Sequence, residues 1–235
     1  MVLYFQFVDK ILLSALKLPY FCDCVNPPAA KYGMRYHVRM KTEIEAKFPG
    51  IDPVSLRVKL EEISAERLYP EVLMRRKTFD LPDRRLYKVG GWIRVRDEGD
   101  KITLSYKQLN DRTLHGTKEI TVLVNDFEET CSLLREIGME EKSYQETKRE
   151  AWKHNDVEIT IDTWPWVPTF VEIEGPTEEL VRTTAKSLGL DWSAAMHGSV
   201  ETIYQMHYNV TDKEIDSWPS ITFIDPPGWL LVRKK

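Results

Sequence analysis

Cysteine is scarce in this chain: Cys22, Cys24 and Cys131 are the only three in 235 residues. Three thiols cannot build a disulfide scaffold, and no CxxC pair offers a zinc site, so reduced cysteines in a cytoplasmic protein are expected. An excess of charge of one sign is also lacking. The 33 basic and 37 acidic side chains leave a net charge of only −4, which argues against nucleic acid or a membrane surface as partner. No long apolar run is uninterrupted. The most apolar stretch, residues 1–20, contains Asp9, Lys10 and Lys17 and has no basic start, so neither a secretory signal nor a membrane span is expected. Residues 1–39 are read as an extension that carries no chemistry, from a mis-assigned start, with an amphipathic docking helix as the alternative. GxxxxGK[ST], HExxH and GxSxG are all missing, which removes three large enzyme classes. The histidines (His37, His115, His154, His197 and His207) show no ligand spacing.

What is present is strand alternation, beginning at Met40. In KTEIEAKF, Ile44, Ala46 and Phe48 share one face while Glu43, Glu45 and Lys47 share the other, the period of a β-strand. A helix follows over DPVSLRVKLEEIS, with Asp52 as cap and Pro53 in the first turn. Further strands are expected over 66–79, WIRVR, KITLSYKQL, GTKEITVLV, SYQETKREAWKH, VEITIDTW and TFVEIEG, with turns at Glu98-Gly99-Asp100 and Asn155-Asp156. Helices are expected over NDFEETCSLLREIG, capped by Asn125 or Asp126, and over TEELVRTTAKSLGL, capped by Thr177. A short helix is expected around VETIYQMHY. Eight strands without regular βαβ alternation predict an α+β fold, an eight-stranded antiparallel barrel with helices packed outside. One domain is assigned to residues 40–235.

The polar faces of these strands are unusual. Antiparallel sheets commonly bury one face and wet the other, yet here the polar faces carry acids and bases at spacing two. Arg94 and Arg96 share a face, as do Thr103, Ser105 and Lys107; Thr160 and Asp162; and Glu172 and Glu174. Solvated faces explain single pairs of this kind. All of them together point inward if the apolar faces meet the helices, giving a lumen of mixed charge. Enclosed charges cost several kcal/mol each when unpaired, about 3–5 when one partner is missing, so a ligand of both signs is implied. Polyphosphate with divalent cations fits: carboxylates take hard cations, and Arg and Lys take phosphate oxygens.

At these residues the chain resembles the CYTH, or triphosphate tunnel metalloenzyme, superfamily, which includes class IV adenylyl cyclases, thiamine triphosphatases and inorganic triphosphatases. The resemblance rests on ExExK (Glu43, Glu45, Lys47) followed in order by RxR (Arg94, Arg96), Lys107, Glu119, KR (Lys148, Arg149), IDTW (Asp162) and EIE (Glu172, Glu174). It covers about 40–208 and implies a tunnel with the triphosphate lying along it. Glu43, Glu45 and Glu174 would hold Mg²⁺ or Mn²⁺, with Glu119, Asp162 and Glu172 as further ligands or water-positioning groups. Lys47, Arg94, Arg96, Lys107 and Arg149 would clamp phosphate, joined by whichever of Arg75 and Arg76 faces inward; alternation favours Arg76. The resemblance also marks Glu43, Glu45, Lys47, Asp162 and Glu172 as the catalytic set, Asp162 or Glu172 acting on the attacking water. Thr121 stands where many relatives have a second glutamate. Thr147 stands where KxR would place lysine, and VETIY lacks a helical lysine, leaving Ser199 and Tyr204 as candidates there.

The expected activity is a metal-dependent triphosphatase acting on inorganic tripolyphosphate or on a nucleoside or other organic triphosphate. A cyclase converting ATP to cyclic AMP and pyrophosphate is the alternative. Hydrolysis is preferred because it needs only the clamp, whereas cyclisation also needs an adenine pocket that no segment declares. A non-catalytic polyphosphate-binding module is the third reading; it would need the bases but could lose the acids, and all are present. A monomer or homodimer is expected.

Overall fold

A computed structural model of the chain describes residues 40–235; the expectations for residues 1–39 lie outside the described residues. Along the chain run β1 (Lys41–Thr42), β2 (Glu45–Pro49), α1 (Pro53–Glu62), β3 (Glu66–Asp80), β4 (Gly91–Asp97), β5 (Ile102–Leu109) and β6 (Thr117–Val124). There follow α2 (Phe127–Glu136), β7 (Glu140–His154), β8 (Val157–Thr163), β9 (Phe170–Glu174) and α3 (Glu178–Ser187). The C-terminal part holds α4 (Glu201–His207), α5 (Asp212–Asp216), β10 (Ser220–Ile221) and α6 (Gly228–Leu231).

The sheet order is β1-β6-β5-β4-β3-β7-β8-β9-β2. Its two end strands are successive pieces of one stretch, 41–49. The sequence pattern predicts a single strand there, and the structure splits it because the stretch serves two neighbours. β1 pairs with β6 and β2 with β9. At the switch Glu43 N–H donates to Thr117 C=O (3.0 Å) and Gly175 N–H to Ile44 C=O (3.1 Å). Counting 41–49 once, eight antiparallel strands close on themselves, which removes exposed sheet edges. The expected barrel and α+β class are what the chain forms.

Alternation then sorts the side chains. Ala46, Phe48, Ile159, Ile161, Val171 and Ile173 face outward into an apolar layer completed by Leu56 and Leu60 of α1 and Val181 and Ala185 of α3. Each aliphatic side chain fully buried there contributes about 1.5–3 kcal/mol. α2 covers another part of the outer face, where Phe127, Cys131 and Leu134 meet Phe79 and Val95. Asp52 caps α1 by accepting from Val54 and Ser55 N–H. The buried stripe is Leu56 and Leu60, four residues apart, whereas Val54 and Val58 face water. Asp126, not Asn125, caps α2, and Thr177 caps α3. Arg57 chelates Glu150 (2.8 and 3.0 Å), tying α1 to the outer face of β7. No helix among the described residues is long and apolar enough to cross a membrane.

Candidate functional site in the barrel lumen

Because β1 and β2 alternate, the face opposite Ala46 and Phe48 carries Lys41, Glu43, Glu45 and Lys47. Each of these reaches a partner on another strand or beside it. Lys107 of β5 lies between Glu43 (3.0 Å) and Glu119 of β6 (3.1 Å). Lys47 lies between Glu45 (2.7 Å) and Glu172 of β9 (2.8 Å). Arg149 of β7 grips Asp162 of β8 with two bonds of 2.7 and 3.0 Å and touches Glu172 at 3.4 Å. Arg94 of β4 meets Glu119 at 3.1 Å. These bonds join neighbouring or next-but-one strands, and all of them lie on the face opposite the apolar layer. Glu43, Glu45, Lys47, Arg76, Arg94 and Asp162 are all buried.

Where opposite charges pair, each stabilises the other. Burial opposes the charge on Lys47, but Glu172 and Glu45 outweigh it and raise its pKa. Arg149 is likewise raised against burial by Asp162 and Glu172. Glu172 is lowered, burial notwithstanding, by Lys47 and Arg149.

Two places are not balanced. Burial, with the hydrogen bond to Glu119 and the nearby Glu45 charge, pushes Glu43 up to about 8. Its Oε2 is buried with no hydrogen-bond partner. Glu174 is raised by burial and by Glu172, with exposed Lys41 at 3.2 Å. Glu43, Glu119 and Glu174 line one cavity of about 420 Å³ together with Lys41, Ile120 and Thr121. Among the described residues no three such groups already stand at ligand distance from a common point. Even so, an oxygen-only donor set with an unpartnered buried oxygen and mutually repelling carboxylates suits a hard divalent cation.

The second imbalance is Arg76. Its guanidinium lies 4.5 Å over the Trp164 ring and donates to Thr147 Oγ1 at 2.7 Å, while its Nε has no partner. Among the described residues no carboxylate is bonded to it. Burial, then Arg96, Arg94 and Arg149, push its pKa well below the usual arginine value. Burial and Arg96 also bring Arg94 down to about 10. Arg94, Arg96 and Arg149 each have an acid and Arg76, beside them, has none, an arrangement that an anion would relieve.

The inward position on β3 goes to Arg76, as alternation predicts; Arg75 lies outside, bonded to Asp97 (3.0 Å) and stacked on Phe127. Lys148 also lies outside, over Phe223. Asp162 is fully buried and taken up by Arg149 and Thr160, which leaves it little room as a metal ligand. Tyr204 is buried in an aromatic cluster, its hydroxyl donating to Pro165 C=O at 2.8 Å. Sequence reasoning missed Glu98, Lys41 and Trp164, and read Thr147 only as a departure from KxR. Glu98 is buried and accepts from Arg96 (2.7 Å) and Thr103 (3.0 Å). Glu98 continues the spacing-two series of Arg94 and Arg96, and Lys41 continues that of Glu43 and Glu45. Reading the alternation two residues further would have found both.

Solved structures of similar fold include the PH1012 protein of Pyrococcus horikoshii (21% identity, 68% of this chain and 98% of that one, TM-score 0.58). Another is described as a putative adenylate cyclase from Vibrio parahaemolyticus (16%, 71% and 99%, TM-score 0.62). A Hippeastrum protein, described as a putative adenylyl cyclase with a dominant triphosphatase activity, is a looser match (15%, 70% and 95%, TM-score 0.47). No curated protein matches the chain in sequence. The family model of the CYTH domain matches residues 41–191, a span that holds every charged lumen residue named above, and the chain belongs to that family.

Proposed function

We propose that the chain is a metal-dependent triphosphatase that hydrolyses inorganic tripolyphosphate or a nucleoside or other organic triphosphate in its lumen. The observation that carries this reading is the paired imbalance: Glu43 with an unpartnered buried oxygen on one wall, and Arg76 with no carboxylate on the other. A ligand of phosphate and metal satisfies both at once. Metal dependence is a property of the family. Glu43, Glu119 and Glu174, with Glu45 beside them, would hold Mg²⁺ or Mn²⁺; bound there, the cation neutralises charge on the transferred phosphoryl group.

The chain's own residues do the rest. Arg76, Arg94, Arg96, Arg149, Lys47 and Lys107 bind phosphate oxygens and fix the chain of phosphates. Asp162 holds the Arg149 guanidinium in place. Glu172, kept ionised by Lys47 and Arg149, accepts a hydrogen bond from the attacking water and orients it. Hydrolysis is favoured over cyclisation because the cavity beside the carboxylates is lined by Lys41, Ile120, Thr121 and acids, with no aromatic ring for a base.

A substrate panel tests this. Purified protein with Mg²⁺ or Mn²⁺ is given tripolyphosphate, nucleoside triphosphates and thiamine triphosphate. Release of orthophosphate is expected. Pyrophosphate with cyclic AMP would replace hydrolysis by cyclisation, and binding without turnover would leave only the polyphosphate-binding module.

A further inference from the structure

Strand β3 falls out of step with β7 twice, and the two breaks flank a single side chain. Arg67 pairs with Trp152, Tyr69 with Ala151 and Val72 with Arg149. From Arg67 to Tyr69, β3 advances two residues while β7 moves one; from Tyr69 to Val72 it advances three while β7 moves two. Each break is a β-bulge, an extra residue on one strand that re-aims a side chain and is over-represented beside active sites. Pro70 lies within the second break. It has no N–H to give to the ladder, which suits a bulge and not a regular central strand.

The bulges decide which way Tyr69 points. From Arg76 the inward positions of β3 run back through Met74 and Val72, opposite Thr147 and Arg149. Plain alternation would continue to Pro70 and leave Tyr69 outside. Instead Tyr69 is opposite Ala151, two residues from Arg149, and Ala151 is opposite Thr160, two residues from Asp162. Tyr69 therefore shares the lumen face with Arg149 and Asp162. Arg67, beyond the first bulge, faces outward over the ring of Trp152, which belongs to the outer apolar layer.

Inside the lumen this half-buried tyrosine feels the charges of Arg149, Glu158, Glu98 and Arg96. Its hydroxyl bonds to none of the described residues. The hydroxyls of Tyr106, Tyr204 and Tyr208, by contrast, all donate to protein acceptors, as a phenol withdrawn from water ordinarily does. Glu98 is already taken up by Arg96 and Thr103. Burial pushes the Tyr69 pKa up to about 12, so the group keeps its proton and stays a donor. A neutral donor beside two guanidinium groups adds a bond for a ligand without adding a buried charge that the empty lumen must carry.

We infer that Tyr69 is a further substrate-binding residue, its hydroxyl donating a hydrogen bond to an oxygen of the phosphate that Arg96 and Arg149 hold. This rests on the triphosphatase reading for the identity of the ligand.

The test is Tyr69→Phe, which keeps the ring and removes only the hydroxyl. Tripolyphosphate affinity is measured by calorimetry and turnover by phosphate release, each with the full chain and Mg²⁺. The variant is expected to bind about 10-fold more weakly, as for loss of one hydrogen bond to a charged acceptor, with kcat/KM falling at least as far. The ligand-free melting temperature should not change, because no protein partner is lost. The tyrosine near-ultraviolet absorption change that tripolyphosphate produces in the wild type should shrink in the variant. Unchanged affinity and kcat/KM would overturn the assignment and leave the triphosphatase standing. Weaker binding with a lower melting temperature and an unaltered absorption change would make Tyr69 a packing residue, which also overturns it. If the wild type binds tripolyphosphate without turnover, the triphosphatase reading fails, and the ratio of the two affinities still decides the role of Tyr69. Failure of the wild type to bind tripolyphosphate would remove both readings.

Discussion

In one part of the lumen Glu43, Glu119 and Glu174 share Lys41 and Lys107, whereas in another Arg76 stands among Arg94, Arg96 and Arg149 without an acid of its own. Both regions are buried, and both contain charge that the protein alone does not neutralise. They respond in opposite ways: Glu43 moves up toward its neutral form and Arg76 moves down toward its own. Between them, Lys47–Glu172 and Arg149–Asp162 are balanced pairs in which each partner holds the other ionised. The difference shows which charges serve the fold and which await a ligand. A balanced pair stabilises its own geometry, while an unbalanced buried ion costs free energy until something of opposite sign arrives.

The largest expected effect comes from Arg76→Met. Tripolyphosphate turnover should fall about 1,000-fold, as for loss of a preorganised donor to developing charge. The ligand-free protein should melt at the same or a higher temperature, because a buried unpaired cation has been replaced by an apolar side chain. Unaltered turnover together with a large drop in melting temperature would make Arg76 structural and end the contrast.

Next is Glu43→Gln, expected to lower metal-activated turnover about 100-fold, in the range seen when a group that positions a metal is lost. Chelation with EDTA should abolish wild-type activity and have little further effect on the variant. If EDTA leaves wild-type turnover intact, these carboxylates do not hold a required cation.

A pH effect follows from the same residue. In metal-free protein Glu43 titrates near 8, against 4.5 for an ordinary glutamate. The folded state binds this proton more tightly than the unfolded chain, so its contribution to stability is complete below about pH 4.5 and is lost as pH rises toward about 8. Glu119 shifts downward, lowered against burial by its hydrogen bond with Glu43 and by Lys107; its contribution is complete above pH 4.5 and does not alter that window. Denaturant melts between pH 5 and 8 should show stability declining in the wild type and a flatter profile in Glu43→Gln. A wild-type profile that rises over this range would contradict the raised pKa of Glu43.

The smallest effect is expected one residue from the largest. Arg75→Ala removes an exposed ion pair on the outer face, costing at most about 1 kcal/mol, and should leave turnover unchanged. Adjacent arginines differing about 1,000-fold in consequence would follow from one step of strand alternation. Loss of activity in Arg75→Ala would show that the two faces are not separated in this way.

Much of this was legible in the chain itself. The spacing-two series around Glu43, Arg94, Lys107, Asp162 and Glu172 identifies the inward faces, because side-chain direction in a strand is a local property. The cap at Asp52 and the end of α2 are local too. Glu98 was hidden because Glu98-Gly99-Asp100 also reads as a turn, and it serves both: one residue past β4, it opens the turn while its carboxylate takes Arg96 and Thr103. The division of 41–49 between two neighbours, and the placement of Trp164 over Arg76, depend on pairings far apart in sequence.

The sequence by itself determined the eight strands, their two faces and the mixed charge of one face. Only the tertiary structure decided which acid meets which base and which two groups are left unsatisfied. The reason is physical. Alternation and capping arise from covalent geometry within a few residues, whereas charge balance in a lumen is a sum over eight strands, and the bonds of Met196 to Lys47 and of Asp216 to Arg84 join parts of the chain more than a hundred residues apart.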